Sequence, residues 1–314
     1  MNNMFLYSIY IRTLGKGGEK YHRLLQSIDK QTIKPEEVVV VLPKGYDLPQ
    51  EKLGYERFVF SEKGMIKQRL FAFNDASTPY ILLLDDDVEF EPEFIEKLYK
   101  TMTTAQADCC IAKMKNNAEN GSKIKQNIFQ LIGSTVYKNT NDQFYYKINL
   151  CGGFIINTGY DSTRPVYSQT GHGSHCFAKT EALKDIHFEE ELWLEDSGYA
   201  LPDDQVMFYK LYLKNHRISV CLNTYFCHLD AAITNNDGKR YLKIAQAKIG
   251  NYLIFWYKFI YKYNNGINRL LCIICIIHRI SLECILYFIK YHNLNVCKSM
   301  IAGLKYGLKY IKRN

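Results

Sequence analysis

Two short runs in this chain are apolar at consecutive positions: Val38 to Leu42 within "EEVVVVL", and Tyr80 to Leu84, "YILLL". Side chains of a strand point alternately to opposite faces, so a strand of this kind must be covered on both. A mostly parallel sheet with helices packed on its two sides provides that cover. The surrounding sequence keeps to this pattern. Phe5 to Ile11 is strand-like, Lys20 to Gln31 carries Leu24, Leu25 and Ile28 at helical spacing, and Phe58 to Phe60 reads as a further strand. Met65 to Asp75 and Pro92 to Met102 read as helices, the second opening at a favoured proline. Strands alternating with helices predict a doubly wound α/β sheet, whose ligands sit at the carboxyl ends of the strands.

At that end of the second apolar run the chain places three carboxylates in a row, Asp85, Asp86 and Asp87. Two carboxylates about 4 Å apart repel by roughly 4 kcal/mol at an effective dielectric near 20. A cation is the simplest offset. Strand alternation lets Asp85 and Asp87 converge while Asp86 points away. Oxygen ligands with open positions suit Mn²⁺ or Mg²⁺, which also takes substrate phosphates. A solvated acidic loop before a helix is the plainer reading of the same residues.

Asp203 and Asp204 follow Pro202 and precede the helical pattern of "QVMFYKLYLKN". One of them serves as a helix cap; the other is free to act as general base toward a hydroxyl. Glu195 and Asp196 form a rival pair. His228, in "YFCHLD" after the strand "RISVCLN", is a candidate third ligand for the cation. The glycines of "LGKGGEKYH" fit neither a dinucleotide-binding nor a Walker pattern, and read as a strand-to-helix turn. From Ala107 to about Asn157 the pattern changes to short strand-like runs, "CCIAKM", "FQLIGSTVY" and "YYKINLCGGFIINT".

Taken in order, these pieces resemble a family 2 glycosyltransferase of the GT-A fold over residues 5 to 230. The resemblance is carried by "YIRT" with Thr13, "SIDKQT", "EEVVVVL", Arg69 in "IKQRLFAFNDA", the Asp-x-Asp of Asp85 and Asp87, the acidic pair Asp203 and Asp204, and His228. Where the family has an aspartate after the second strand, this chain has "VLPKGYD". The resemblance implies that Asp204, beside Asp203, is the catalytic base, and that Thr13, Arg69, Asp85 and Asp86 contact a nucleotide sugar. It further implies that Asp85, Asp87 and His228 hold Mn²⁺ or Mg²⁺. The implied reaction moves a sugar from a nucleotide donor, UDP being the commonest, to an acceptor hydroxyl with inversion. A nucleotidyltransferase on a similar sheet, or a non-catalytic nucleotide-sugar or glycan-binding protein, would share several of these features.

The net charge of +8 is unevenly spread. From Lys239 onward fourteen Lys or Arg face one acid, Glu283, so the tail carries +13 and the rest −5. This assigns 1–230 to a catalytic domain and 231–314 to a basic helical extension. In "KSMIAGLKYGLKYIKRN" Ile301, Leu304, Leu308 and Ile311 form a helical stripe flanked by lysines, suited to an anionic membrane surface. Upstream, "LLCIICIIHRISLECILYFI" is long enough to span a bilayer, but His278, Arg279 and Glu283 interrupt it, which favours attachment in the membrane plane. Cys272 and Cys275 sit inside this run as small apolar residues. Ten cysteines with no signal-peptide pattern before them point to a reduced compartment. The expected partners are a nucleotide sugar, a glycan or lipid-linked acceptor and the cytoplasmic face of the inner membrane, with no nucleic acid. The setting that fits is assembly of a bacterial capsule, lipopolysaccharide or exopolysaccharide.

Overall fold

The computed structural model describes residues 5–115, 135–229 and 240–313. Its first part alternates as the pattern predicts: β1 (Tyr7–Arg12), α1 (Glu19–Asp29), β2 (Glu37–Pro43), β3 (Arg57–Ser61), α2 (Met65–Asp75), β4 (Tyr80–Asp85), β5 (Val88–Phe90), α3 (Phe94–Thr104) and β6 (Cys109–Met114). Then come β7 (Thr135–Tyr137), β8 (Tyr146–Ile148), β9 (Phe154–Asn157), β10 (Tyr167–Ser168) and β11 (His175–Lys179). Three helices follow, α4 (Thr180–Asp185), α5 (Trp193–Asp196) and α6 (Asp203–Leu213), and then the long strand β12 (Ile218–His228). Of the run "FQLIGSTVY", only the last three residues, the strand β7, lie within the described residues.

The main sheet runs β10-β12-β6-β11-β4-β1-β2-β3, with β5 added against β12. Neighbours in β4-β1-β2-β3 are parallel, β11 runs antiparallel between β4 and β6, and β10 and β5 pair antiparallel with β12. Both faces are covered. Ile9, Ile11, Val38, Val40, Leu82 and Leu84 pack with Leu24, Leu25 and Ile28 of α1 and with Phe94 and Leu98 of α3. The alternate residues Tyr10, Val39, Val41, Ile81 and Leu83 pack with Phe73 of α2 and with Val206 and Phe208 of α6. Truncating a fully buried residue such as Leu82 to Ala costs about 2–5 kcal/mol. The small sheet β7-β9-β8 stands beside the main one.

The strand order reverses at β1, which has β2 on one side and β4 on the other. The crevice of such a sheet lies there, and its floor is the register pair Arg12 and Asp85.

The C-terminal region forms α7 (Arg240–Phe255), a π-helical continuation (Trp256–Tyr261), α8 (Gly266–Tyr291) and α9 (Leu294–Arg313). Leu253, Phe255, Trp256, Phe259 and Ile276 join the same core as Val206 and Phe208. Helices α7 and α9 meet closely because the contact lacks side chains: a Cβ on Gly303 would lie 2.2 Å from the Gln246 carbonyl oxygen. The tail stripe is therefore divided. Val296, Met300, Gly303 and Gly307 are buried, and Leu304 and Ile311 pack partly against the core. Ile301 and Leu308 face outward among exposed Lys298, Lys305, Lys309 and Lys312.

Candidate active site

A ladder of ion pairs crosses the crevice floor. Arg12, at the end of β1, donates from Nε to Asp85 Oδ1 and from Nη2 to Asp85 Oδ2, the latter at 3.2 Å. Its Nη1 donates to Asp203 Oδ2 at 2.9 Å, and the same oxygen accepts from Arg69 Nε at 3.0 Å. Burial works against charge on Arg12, but Asp85 and Asp203 outweigh it and keep the guanidinium protonated. For Asp203 burial acts upward, and Arg69 and Arg12 together hold the carboxyl below the ordinary range.

Asp204 is a different kind of acid. Its Oδ2 accepts from the Gly173 backbone N–H at 3.0 Å and its Oδ1 from the Gln205 N–H at 2.8 Å. Burial, then the neighbouring Asp203 charge, push its pKa up to about 6. A carboxyl poised there is suited to taking a proton near neutral pH. Gly173 is required beside it, because a Cβ would fall 2.4 Å from the Asp204 Cβ. The Gly173 carbonyl in turn accepts from Arg69 Nη2 at 3.2 Å.

The aspartate run divides by direction. Asp86 accepts from Thr13 Oγ1, and burial first raises its pKa, to about 6. The Thr13 oxygen also accepts from the Gly15 N–H at 3.0 Å. Asp87 turns to His228, with Oδ1 3.1 Å from Nε2. That contact holds the His228 pKa above the usual value against the effect of burial. The strand signal "RISVCLN" stops short of the observed element: β12 continues through a register shift to His228, which pairs with Val88 of β5 and thereby lies beside Asp87.

Asp85, Asp87 and His228 each offer one ligand atom, all within 4.8 Å of one another, the one such group among the described residues. Two carboxylates and an imidazole fit Mn²⁺ or Mg²⁺ with positions left for phosphate. The Arg12 bonds leave lone pairs on both Asp85 oxygens for such an ion.

Two of the candidate residues have definite partners. Arg69, expected to contact the nucleotide, is only 3% exposed and directs its N–H groups to Asp203, Gly173 and the Met207 sulfur. With Arg12 it holds the Asp203 carboxyl below the ordinary range, and it lines the same cavity as Arg12, Asp85 and Gly173. The rival pair is resolved too: Glu195 Oε1 accepts from the backbone N–H of Ile66 at 2.8 Å and of Lys67 at 3.2 Å, capping α2. Arg12 and Gly173 were not singled out from the sequence. An arginine closing an apolar strand at the predicted switch point was the available signal for Arg12.

The fold, a mostly parallel sheet covered on both faces with a helical C-terminal extension, is of the GT-A type. Residues 9–162 match the family described as glycosyl transferase family 2, and the chain carries a domain of that family. Solved structures similar to it include GalNAc-T7 crystallised with UDP, GalNAc and Mn²⁺, at 14% identity and a TM-score of 0.49, over 82% of this chain and 50% of that one. Another is S. aureus TarS 1–349, at 19% identity and a TM-score of 0.45, over 99% and 92% of the two chains. A longer S. aureus TarS structure matches at 15% identity and a TM-score of 0.46, over 89% and 54%. The chain thus spans half the length of the GalNAc-T7 chain. A search of curated proteins finds no match.

Proposed function

We propose that this glycosyltransferase moves a sugar from a nucleoside diphosphate donor, UDP being the first candidate, to an acceptor hydroxyl with inversion. The observation that carries the reading is the position of Asp204: a carboxyl with a pKa of about 6 one ion-pair ladder away from the Asp85, Asp87 and His228 cluster. Asp204 accepts the acceptor's proton as its oxygen attacks the anomeric carbon, and the bond from that carbon to the diphosphate oxygen breaks. When bound, Mn²⁺ or Mg²⁺ at Asp85, Asp87 and His228 supplies positive charge to the departing diphosphate. Thr13 and Asp86 face the nucleotide side. Arg12, Asp203 and Arg69 fix the charge pattern between the two halves.

The catalytic work falls to 1–230 and attachment to 231–314. Helix α8 is the one described helix long and apolar enough to cross a membrane. Its charged residues support a different placement, because Arg279 and Glu283 are buried against the protein. The opposite side exposes Ile267, Leu270, Ile274, Ile277, Ile285 and Phe288. An apolar outer face together with the outward lysines of α9 suits a helix lying in the plane of an anionic bilayer. The ten cysteines form no disulfide, which suits the cytoplasmic side, where the acceptor would be a lipid-linked glycan of a bacterial surface polysaccharide.

Thermal shift with UDP-, GDP- and dTDP-sugars, with and without Mn²⁺, tests the donor site. Stabilisation follows RT ln(1 + [L]/Kd). Metal-dependent stabilisation by one nucleotide class, lost in Asp87→Ala, is expected; stabilisation unaffected by Asp87→Ala refutes the metal assignment. For attachment, Ile274→Glu with Ile277→Glu should abolish flotation with anionic vesicles, and flotation unchanged by both refutes the in-plane face.

A further inference from the structure

The C-terminal helices meet the catalytic domain next to the proposed base. Gln205, the residue after Asp204, donates from Nε2 to the Gly152 carbonyl at 2.7 Å. Arg279 of α8 donates from Nη1 to the adjacent Cys151 carbonyl at 3.0 Å. One strip of loop backbone therefore separates Arg279 from the start of the base helix α6. The guanidinium carbon lies 4.3 Å from the centre of the Tyr252 ring on α7, a partly exposed side chain. Burial pushes the Tyr252 hydroxyl up to about 12, with Arg279 acting downward and the Asp204 and Glu283 carboxylates acting upward, so these groups share one electrostatic neighbourhood.

Arg279 has no carboxylate partner among the described residues. Glu283, one turn along, pairs with Lys248 at 3.1 Å. A side chain only 7% exposed that carries a charge with no carboxylate in direct contact is costly, and the Tyr252 ring and hydroxyl offset only part of that cost. The Cys151 carbonyl and the Tyr252 side chain leave further guanidinium N–H groups for another acceptor. The far side of the same helix is the apolar face, and a helix is about 10 Å across. Arg279 thus lies about 10 Å behind the face proposed to meet the bilayer.

We propose that Arg279, backed by Tyr252, is the subsite for the phosphate or diphosphate joining a lipid to the acceptor sugar. The C-terminal helices then hold the acceptor by its anionic link while its hydroxyl reaches Asp204. This rests on the glycosyltransferase reading and names the acceptor class. Charge-assisted, forked N–H contacts to phosphate oxygens supply the recognition, as arginine does better than lysine.

The test is calorimetric titration of the full chain with farnesyl diphosphate, farnesyl phosphate, farnesol and inorganic pyrophosphate, in EDTA so that the aspartate cluster cannot take a metal-bound diphosphate. The wild type is expected to bind farnesyl diphosphate about tenfold or more tightly than farnesol, the worth of at least one charge-assisted bond. Arg279→Gln should erase that ratio, and Arg279→Lys should keep part of it. Equal affinity for farnesol and farnesyl diphosphate in the wild type overturns the subsite, as does an unchanged ratio in Arg279→Gln. Pyrophosphate binding as tightly as farnesyl diphosphate overturns the lipid-linked source and points to free phosphate. If Arg279 only docks α8, both variants lose thermal stability and the affinities for farnesol and farnesyl diphosphate fall together. Donor binding with Mn²⁺ is read separately: its absence strikes the glycosyltransferase reading and leaves the phosphate preference standing, whereas loss of the preference alone strikes this subsite.

Discussion

Asp204→Asn should separate chemistry from stability, because the feature that suits Asp204 to the proposed role of base also makes it costly to ionise. Its carboxyl titrates at about 6 in the folded chain against an ordinary 3.8, through burial first and the Asp203 charge second. Below pH 4 the group is protonated folded or unfolded, and its contribution to stability is fully present. Between 4 and 6 the folded state holds more protons, so stability falls as pH rises; above 6 the loss is complete, about 3 kcal/mol at most for a two-unit shift. Asn cannot ionise and escapes this loss. It has a single carbonyl oxygen, however, while the carboxylate accepts from Gly173 at 3.0 Å and from Gln205 at 2.8 Å. One orphaned backbone N–H costs about 1–2 kcal/mol. The net expectation is a variant more stable than wild type by about 1–2 kcal/mol at pH 8, worth roughly 2–3 °C in Tm, and less stable by about 1 kcal/mol at pH 4. Turnover should drop by about 10²–10⁴ with donor binding kept. Thermal unfolding of both proteins at pH 4 and 8 measures the difference. A deficit of equal size at the two pH values refutes the ionisation cost, and surviving turnover refutes the base. Indifference of any activity to this change would favour a binding module.

In the wild type, kcat should rise with pH through a limb near 6 as Asp204 loses its proton, and a flat profile from pH 5 to 8 would exclude it as base. Arg12→Met leaves Asp85 without its partner and Asp203 with Arg69 alone; urea unfolding should show a loss of about 3–5 kcal/mol, and a loss under 1 kcal/mol would mean that the ladder is solvated. Gly173→Ala forces a Cβ to 2.4 Å from the Asp204 Cβ, so kcat should fall while the donor KM holds; a variant with wild-type kcat would show that the loop shifts freely.

The parts of this molecule legible in its sequence are those marked by local pattern. Val38 to Leu42 and Tyr80 to Leu84 announce strands covered on both faces, and the structure divides their alternate side chains between two cores. Asp85 and Asp87 do meet, but for another reason than alternation: β4 ends at Asp85, and the turn into β5 carries Asp87 round to His228. The hidden parts depend on register between distant segments. Nothing local to Arg12 marks it as the partner of Asp85, 73 residues away, until β1 and β4 pair. Gly173 looks like any loop glycine until Asp204 lies against it. Periodicity also states which residues share a helix face without saying what that face meets. Arg279 and Glu283 read as interruptions of a membrane span, yet they occupy the side of α8 turned to the protein. The Ile301 to Ile311 stripe likewise divides because Gly303 and Gly307 let α7 approach on one side of it.

That coupling of extension and site has a consequence for any attempt to isolate the catalytic part. Asn251 of α7 is fully buried, and its Nδ2 donates to the carbonyls of Leu194, Tyr199 and Leu201, the turn that leads into the base helix. Trp256 Nε1 donates to Leu150 at 3.1 Å, in the loop that Gln205 holds two residues further on. Glu191, also fully buried, shares its charge between Lys210 and Lys258, and the second of these lies in the extension. The Phe255 ring packs 5.8 Å from that of Tyr209 on α6. Removing residues 240–314 would orphan these carbonyls, leave Glu191 with fewer cations and open the apolar side of α6 to water. Each buried aromatic so exposed forfeits about 1.5–3 kcal/mol, and the sum approaches the whole stability of an ordinary domain. A chain ending at residue 239 should therefore aggregate on size exclusion and show no donor-dependent stabilisation. A monomeric 1–239 fragment with full turnover would refute the view that the extension braces the base helix, and would return it to the role of a detachable anchor.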